Sequence, residues 1–442
     1  MGPEPMSTYP GPKAAALIER MRRVEGAGPR SAAGDPLVVD SASGATLIDP
    51  DGNRFTDLAG SFAAASLGHS HPDIAAAITA QAGLASHVSS AAISEARIGF
   101  EEDLVGIAPA GLDRVLLGIT GADANDTAIK LARSLTGRRE ILTFAGGYFG
   151  RTRGVAGLNG KSAFRERVAV DPDAHFLPYP DRYRWPDALG GGEAAGTTAL
   201  ELVRTAIEDP GSGVGPLAAI IVESVQGNGG IVSPPDGFLA GLRELCDRHG
   251  VILVFDEIQC GFGRTGRMWA AEHWDVVPDL MTVGKGIGGG LALSAVVGRS
   301  STMQHWPAGT HTSTFLGNAV NLAAGRAAIR VMCRDRLWER SASLGETLLE
   351  RVRAGLDEAP GVGDVRGRGL FIGIELVRDR STKTPDPETT AAVQAEAFRH
   401  GVVVAIAGRA EQVVKISPPL TIDAGQASEA VEVVIDAIRR RR

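Results

Sequence analysis

The sequence predicts an α/β fold, with a large doubly wound, mixed but mostly parallel sheet domain and a smaller α/β domain. Three observations predict it. Short apolar runs alternate with helical patterns from about residue 60 to 310, which is the grammar of repeated βαβ units. Two of those runs, 217–222 (LAAIIV) and 251–255 (VILVF), are uniformly apolar, as central parallel strands are when helices cover both faces. The chain has 442 residues, 44% apolar and 22% charged, enough for two or three domains with a large buried core.

Taken in order, residues 1–35 are Gly/Pro-rich, lack the apolar core of a signal peptide, and read as a flexible arm. Residues 36–66 read as the N-terminal part of the small domain. Within them ATLIDPDGNRFTDLAG has an apolar–turn–apolar hairpin pattern with its tip at Asp49-Pro50-Asp51-Gly52. Residues 67–320 read as the large domain. Between its two apolar runs, Phe238, Leu239, Leu242, Leu245 and Cys246 form an i, i+1, i+4, i+7, i+8 stripe that Gly250 closes. Residues 321–442 read as the C-terminal small domain. Two long helical patterns there lead into GLFIGIELV, GVVVAIA, VVKISPPL and a closing helix over 427–442. The four arginines at its end suit a helix C-terminus and need no further role.

Composition excludes several classes of function. The 45 basic and 52 acidic residues give a net charge of −7, which argues against nucleic-acid or anionic-membrane partners. No apolar stretch approaches the roughly 18 residues of a membrane span. Cys246, Cys260 and Cys333 are far apart without a CxxC, which argues against a disulfide framework or a Cys-rich zinc site. The expectation is a cytoplasmic protein. Of the 45 basic residues only six are lysines, at 13, 130, 161, 285, 383 and 415, so chemistry that needs a lysine has six candidates.

Open α/β sheets bind ligands at the carboxyl ends of their strands. The run VILVF leads directly into Asp256-Glu257-Ile258-Gln259, and LMTV ends at Gly284-Lys285-Gly286. A carboxylate and a lysine therefore both fall at strand ends, and the glycines beside the lysine leave room for a bulky ligand. In GITGADANDTAIKLAR, Gly121 and Ala122 open a helical pattern whose free N–H groups make a phosphate seat. Tyr148, in GGYFGRT, can stack on a planar ligand. This set matches the needs of pyridoxal phosphate. The lysine forms a Schiff base, the carboxylate keeps the ring nitrogen protonated, and a Gln three residues after it, Gln259, reaches the ring oxygen.

These motifs resemble those of a known family. In order, SLGHSHPDI, TGADANDTAIKLAR, AGGYFGRT, VESVQGNGG, VFDEIQCGFGRTG, PDLMTVGKGIGGG and HTSTFLGN resemble the class III (omega/ornithine/4-aminobutyrate type) aminotransferases of pyridoxal-phosphate fold type I. The resemblance runs from about residue 45 to 440. It implies that Lys285 is the Schiff-base lysine, Asp256 the partner of the ring nitrogen and Gln259 a neighbour of the ring oxygen. Gly121 and Ala122 would hold the phosphate, Tyr148 would stack on the ring, and Glu223 would lie beside the cofactor. Thr314 resembles a residue that reaches the phosphate in a neighbouring subunit, which implies a homodimer with shared active sites.

Two other readings weaken on spacing. GFGRTG (261–266) matches GxGxxG, but five residues separate it from its strand and no helical stripe follows, against a nicotinamide enzyme. His69 and His71, between Gly68 and Pro72 with no acidic or Cys cluster, read as a turn and helix cap and not as metal ligands.

Departures from the family bear on substrate. Asn228 stands where relatives using 4-aminobutyrate or ornithine carry Glu. Lys415 precedes the PPL motif where an Arg often takes the substrate carboxylate, so a planar fork has become a point charge. Arg409 is a possible substitute for it. Tyr148-Phe149 makes the wall more apolar, and Phe62, in the segment lining the pocket entrance, points the same way. The substrate side chain is therefore expected to be more neutral or apolar than glutamate. The segments LPYPDRYR and GDVRGRGLFIGIELVRDRSTKTPDPETT also resemble a branch containing amino-acid racemases and dialkylglycine decarboxylases. Racemisation needs proton delivery to both faces of a carbanion, and Asn228 cannot carry a proton near pH 7. The expected activity is pyridoxal-phosphate-dependent transfer of an amino group from an amino acid or amine to an oxo acceptor. Racemisation, epimerisation or decarboxylating transamination is the alternative.

Overall fold

The computed structural model describes residues 9–26, 35–166, 172–307 and 309–441. The hairpin forms where its turn residues demand it: Asp49 Oδ1 accepts the amides of Asp51 (3.0 Å) and Asn53 (2.7 Å), and Gly52 takes the left-handed φ of 90°. Strands β1 (Ser41–Ser43), β2 (Thr46–Ile48) and β3 (Arg54–Asp57) run antiparallel in sequence order.

The large sheet is built from β4 (Arg114–Gly118), β5 (Glu140–Phe144), β6 (Ala174–Leu177), β7 (Leu217–Glu223), β8 (Ile252–Asp256), β9 (Leu280–Val283) and β10 (Ser294–Gly298). Its order is β4-β10-β9-β8-β7-β5-β6, and β10 alone runs against its neighbours. Every residue of β7 is buried, as expected of a strand covered on both faces. The helix Phe238–His249 between β7 and β8 buries Phe238, Leu239, Leu242, Leu245 and Cys246, the stripe read from the sequence, and Gly250 ends it at φ 60°.

The smaller unit carries β11 (Val362–Arg368), β12 (Phe371–Asp379), β13 (Thr384–Pro385), β14 (Val402–Val403), β15 (Ala405–Ala407) and β16 (Val413–Ile416). They form a sheet in the order β11-β12-β16-β15, with β13 beside β12. β14 joins the N-terminal hairpin in parallel with β3, so the two ends of the chain share a sheet. Side-chain alternation gives the small sheet two faces. Ile372, Ile374, Val414 and Ile416 are core residues, whereas Asp364, Arg366, Arg368, Glu375 and Lys415 lie on the opposite face. Gly373 and Val413, on that second face, pack against Gly230 and Ile231, so it looks toward the 227–231 loop of the large unit.

Two expectations need correction. Within the N-terminal arm expected to be flexible, Pro12–Val24 is a helix that buries Ala14 and Ile18, and the Asp51 carboxylate accepts the amides of Lys13 (3.0 Å) and Ala14 (2.8 Å). Proline at the first helical position starts a helix even in Gly/Pro-rich surroundings. Residues 1–8 and 27–34 of the arm lie outside the described residues. The boundary expected at 320/321 falls inside the helix Ala319–Arg334, which packs on the helices Pro72–Leu84 and Glu95–Ile107 of the large unit. Among the described residues no helix is long and apolar enough to cross a membrane.

Candidate active site

The carboxyl ends of five strands of the large sheet converge: the adjacent β9, β8, β7 and β5, and β4, which β10 separates from β9. β7 ends at Glu223 and β8 at Asp256, paired side by side. β9 leads within two residues to Lys285, β4 leads to Thr120-Gly121, and β5 to Tyr148. Together with Asn125, Phe149, Gly150, Arg151, Ile258 and Gln259 they line a cavity of about 440 Å³. The helix Gly121–Thr136 starts at its edge. Thr120 caps it by accepting the Asp123 amide (3.3 Å), which leaves the first-turn N–H groups of Gly121 and Ala122 without helical acceptors. Those donors and the helix dipole form an anion seat. Gly150, at φ 126°, lies against Ala122, where a side chain would collide with that seat.

Asp256 is 4% exposed and held from two sides. Asn125 Nδ2 donates to its Oδ2 (2.8 Å) and the Ile258 amide to its Oδ1 (2.9 Å). Asn125 is fixed in turn, since its Nδ2 also reaches Phe149 O (3.0 Å) and its Oδ1 accepts Thr282 Oγ1 (2.8 Å). Burial pushes Asp256 up to about 6, with the Asn125 and Ile258 donors and the Lys285 charge opposing. Glu223 rises to about 8, through burial first and then the repulsion of Asp256. Its oxygens accept the amides of Tyr148 and Gly227, both at 2.9 Å. Lys285 is lowered by burial against the opposing pull of Asp256 and Glu223, which favours the neutral, nucleophilic amine. Its backbone is left-handed at φ 48°, a strained setting for a side-chain-bearing residue, and Gly284 and Gly286 flank it. A side chain at Gly286 would meet Ser66 Oγ at 2.7 Å.

A buried carboxylate at a strand end, an anion seat at a helix start, a Gly-flanked lysine and an aromatic wall fit pyridoxal phosphate. The structure brings together Lys285, Asp256, Gly121, Ala122, Tyr148, Glu223 and Gln259. It does not bring Thr314 to its own chain's cavity, where that residue is exposed. The expected substrate residues other than Tyr148 lie beyond the cavity lining. Phe62 is 68% exposed at the rim, and its carbonyl accepts Gln259 Nε2 (3.3 Å). Arg409 is exposed. Asn228 has its Oδ1 buried without a partner. Lys415 is 3% exposed, and its Nζ lies 6.0 Å from the Phe62 ring centre.

Sequence reasoning missed Asn125 and Arg151. Asn125 was detectable as a polar residue on an otherwise apolar helix face, beside Ala124, Ala128 and Ile129. Arg151 sits beside Tyr148 in GGYFGRT and stacks on Phe164 at 4.1 Å. The motifs set aside above have structural roles. His71 caps the helix Pro72–Leu84 by accepting the Asp73 amide (3.3 Å), and His69 Nε2 pairs with Asp57 (2.8 Å). GFGRTG forms turns and opens no helix. Its Arg264 is fully buried and donates to the carbonyls of Leu370 (3.0 Å) and Pro418 (2.5 Å).

Residues 29–438 match the family model described as aminotransferase class-III. The chain is 36% identical over 420 residues to a diaminobutyrate–2-oxoglutarate aminotransferase of Haemophilus influenzae, covering 91% of each chain. It is 38% identical over 411 residues to an isoleucine 2-epimerase of Lentilactobacillus buchneri, covering 91% of this chain and 89% of that one. An amine transaminase from an uncultivated Pseudomonas species, solved with pyridoxal phosphate bound, superposes with a TM-score of 0.87 at 30% identity, covering 95% of this chain and 98% of that one. The chain belongs to the class III aminotransferases, pyridoxal-phosphate-dependent transaminases of fold type I.

Proposed function

We propose that this aminotransferase takes its amino group from an α-amino acid with a neutral or apolar side chain, and that Lys415 holds the donor's carboxylate. The observation that carries this reading is an unpaired buried charge. On its face of the small sheet, Arg366 pairs with Asp364 and Glu375, and Arg368 lies over the Trp274 ring. Among the described residues, the Lys415 ammonium has no carboxylate within ion-pair distance and no hydrogen-bond acceptor. Burying an ammonium unpaired is costly, and an incoming carboxylate removes that cost.

When bound, pyridoxal phosphate supplies the carbonyl that takes up the amino group and the ring that accepts the electrons. In this reading Lys285 anchors the cofactor and moves the proton from the donor's α-carbon. Asp256 holds the proton on the ring nitrogen. Gly121 and Ala122 hold the phosphate, Tyr148 covers one ring face, and Gln259 hydrogen-bonds the ring oxygen. Thr314 acts in the partner's site of a cytoplasmic homodimer, in keeping with its exposure and its distance from its own cavity.

The isoleucine 2-epimerase relative supports a second reading, epimerisation. Asn228 speaks against it because a carboxamide cannot return a proton to the second face. One experiment separates the two. Cofactor-loaded enzyme is given single L- or D-amino acids without an oxo acceptor. Loss of the visible absorption with one equivalent of oxo acid formed supports transamination. Persistent absorption with both amino-acid hands appearing and solvent exchange at the α-carbon supports epimerisation.

Lys415→Met is expected to raise KM for the amino-acid donor about 10- to 100-fold, the size of a lost charge-assisted hydrogen bond. An amine lacking the carboxylate should be affected little. An equal effect on both donors refutes the carboxylate role.

The reading also predicts a pH dependence. Burial first, then the Lys285, Arg264 and Lys161 charges, lower Lys415 to about 7, while Glu223 opposes them. Lys415 is thus charged below about pH 7 and loses its grip on a carboxylate above it. Lys415→Arg cannot deprotonate in this range. The ratio of wild-type KM to Lys415→Arg KM should therefore rise from pH 6 to 9, and because titration of the donor amine cancels in that ratio, a flat ratio would contradict the assignment.

A further inference from the structure

Two sequence segments that no assigned role uses meet in space. Asp181 Oδ1 accepts the amides of Tyr183 (3.1 Å) and Arg184 (3.2 Å), a tight turn that directs Arg184 out of the large unit. Arg184 Nε pairs with Glu375 Oε1 on β12, which is fully buried. Arg366 Nη2, on β11, lies 2.6 Å from Glu375 Oε2 as an ion pair without hydrogen-bond alignment. Burial alone would raise Glu375, but the Arg366 and Arg184 charges and Gln412 hold it below its ordinary value, so the carboxylate stays charged at neutral pH.

From this carboxylate two paths lead to the same loop. Arg366 Nε donates to Gly230 O (2.9 Å). Gln412 Nε2 donates to Glu375 Oε1 (3.2 Å), and Gln412 Oε1 accepts the Ala410 amide (2.9 Å). The turn holding Ala410 donates back through the Gly408 amide to Asn228 O (3.0 Å). The 228–230 loop is therefore gripped at both ends, and between the grips Asn228 keeps a buried, unpartnered Oδ1.

We infer that Glu375 is a positioning residue for substrate: bridging arginines from both units, it sets where the Asn228 carboxamide stands at the substrate end of the site. This rests on the reading that the donor binds between the 227–231 loop and the face of the small sheet that carries Lys415. The unpaired Asn228 oxygen is an acceptor that a donor's N–H or O–H group completes. A buried acceptor left bare discriminates strongly between substrates that can and cannot satisfy it.

The test is a steady-state series on the cofactor-loaded enzyme with the amino-acid donor and its carboxylate-free amine. Glu375→Gln keeps the volume and removes the charge. It should raise KM for the amino acid at least tenfold, with kcat within about threefold and cofactor content unchanged. Gln412→Leu breaks one path while leaving both ion pairs, so it should act in the same direction with little loss of folding stability. In an Asn228→Ala background the Glu375→Gln effect on KM should largely vanish, because the group it places is gone.

A lower melting temperature with unchanged KM in Glu375→Gln and Gln412→Leu would overturn the inference, as would full additivity with Asn228→Ala. If Lys415→Met leaves KM unchanged, the carboxylate reading fails by itself. A non-additive KM effect at Glu375 and Asn228 would still support the positioning role.

Discussion

Lys285→Ala should lose turnover by at least about a thousandfold, since the proposed mechanism rests both covalent anchoring and proton transfer on that amine. No other lysine lines the cavity. Of the remaining five, Lys415 projects from the small sheet, and Lys13, Lys130, Lys161 and Lys383 all lie outside the lining. The phosphate seat and the Asp256 network do not involve Lys285, so the variant should still bind cofactor. Borohydride treatment of loaded wild-type enzyme should attach the cofactor to the peptide containing Lys285, read by mass spectrometry, and the variant should show no such adduct. Near-normal turnover by the variant would remove the basis of the assignment.

Asp256→Asn is the second large effect, expected to slow the half-reaction with an amino donor by about 100-fold or more. The side chains are nearly isosteric, so the loss comes from charge and hydrogen-bond direction. Asn125 cannot turn its amide over, because Oδ1 is committed to Thr282 and Nδ2 to Phe149 O. It must keep donating toward residue 256. The Ile258 amide also donates there, so two donors already point at this side chain. A carboxylate satisfies both and, in the proposed mechanism, still offers negative charge to the ring nitrogen. A carboxamide has one acceptor oxygen and must leave a donor unsatisfied or turn its own NH₂ toward a protonated nitrogen. Single-turnover absorbance with excess donor measures the step directly, and an unchanged rate would show that another group holds the ring proton.

The large sheet was legible because its chemistry sits where its periodicity changes. Uniform apolar runs such as that of β7 mark strands buried on both faces, and the residues that follow them face the ligand edge. Local chemistry likewise marked the hairpin tip, the Gly250 helix end and the cap before Pro72. The missed features depend on distant partners. The helix Pro12–Val24 docks through Asp51, which reads in sequence only as a turn residue. Asn125 lies 131 residues from Asp256, and nothing nearby states why a helix face should bury an amide. Glu375 stands in an otherwise apolar run, and its partner Arg184 is 191 residues away. Phe62 was read at the pocket entrance, and a left-handed stretch over Ser61, Phe62 and Ala63 leaves its ring 68% exposed at the rim.

The antiparallel placement of β10 divides the cost of building the site unevenly. Lys285 lies in the connection between two adjacent strands that pair at Val283 and Ala295, only 12 positions apart. Closing so short a loop costs little chain entropy. The carboxylate, by contrast, is held by contacts spanning 131 and 157 positions, through Asn125 to Asp256 and Thr282. Loop-closure entropy grows with separation, and contacts this remote form only once much of the chain is already in place. The amine thus belongs to a local hairpin, while the acid across the cavity from it belongs to the topology of the whole sheet.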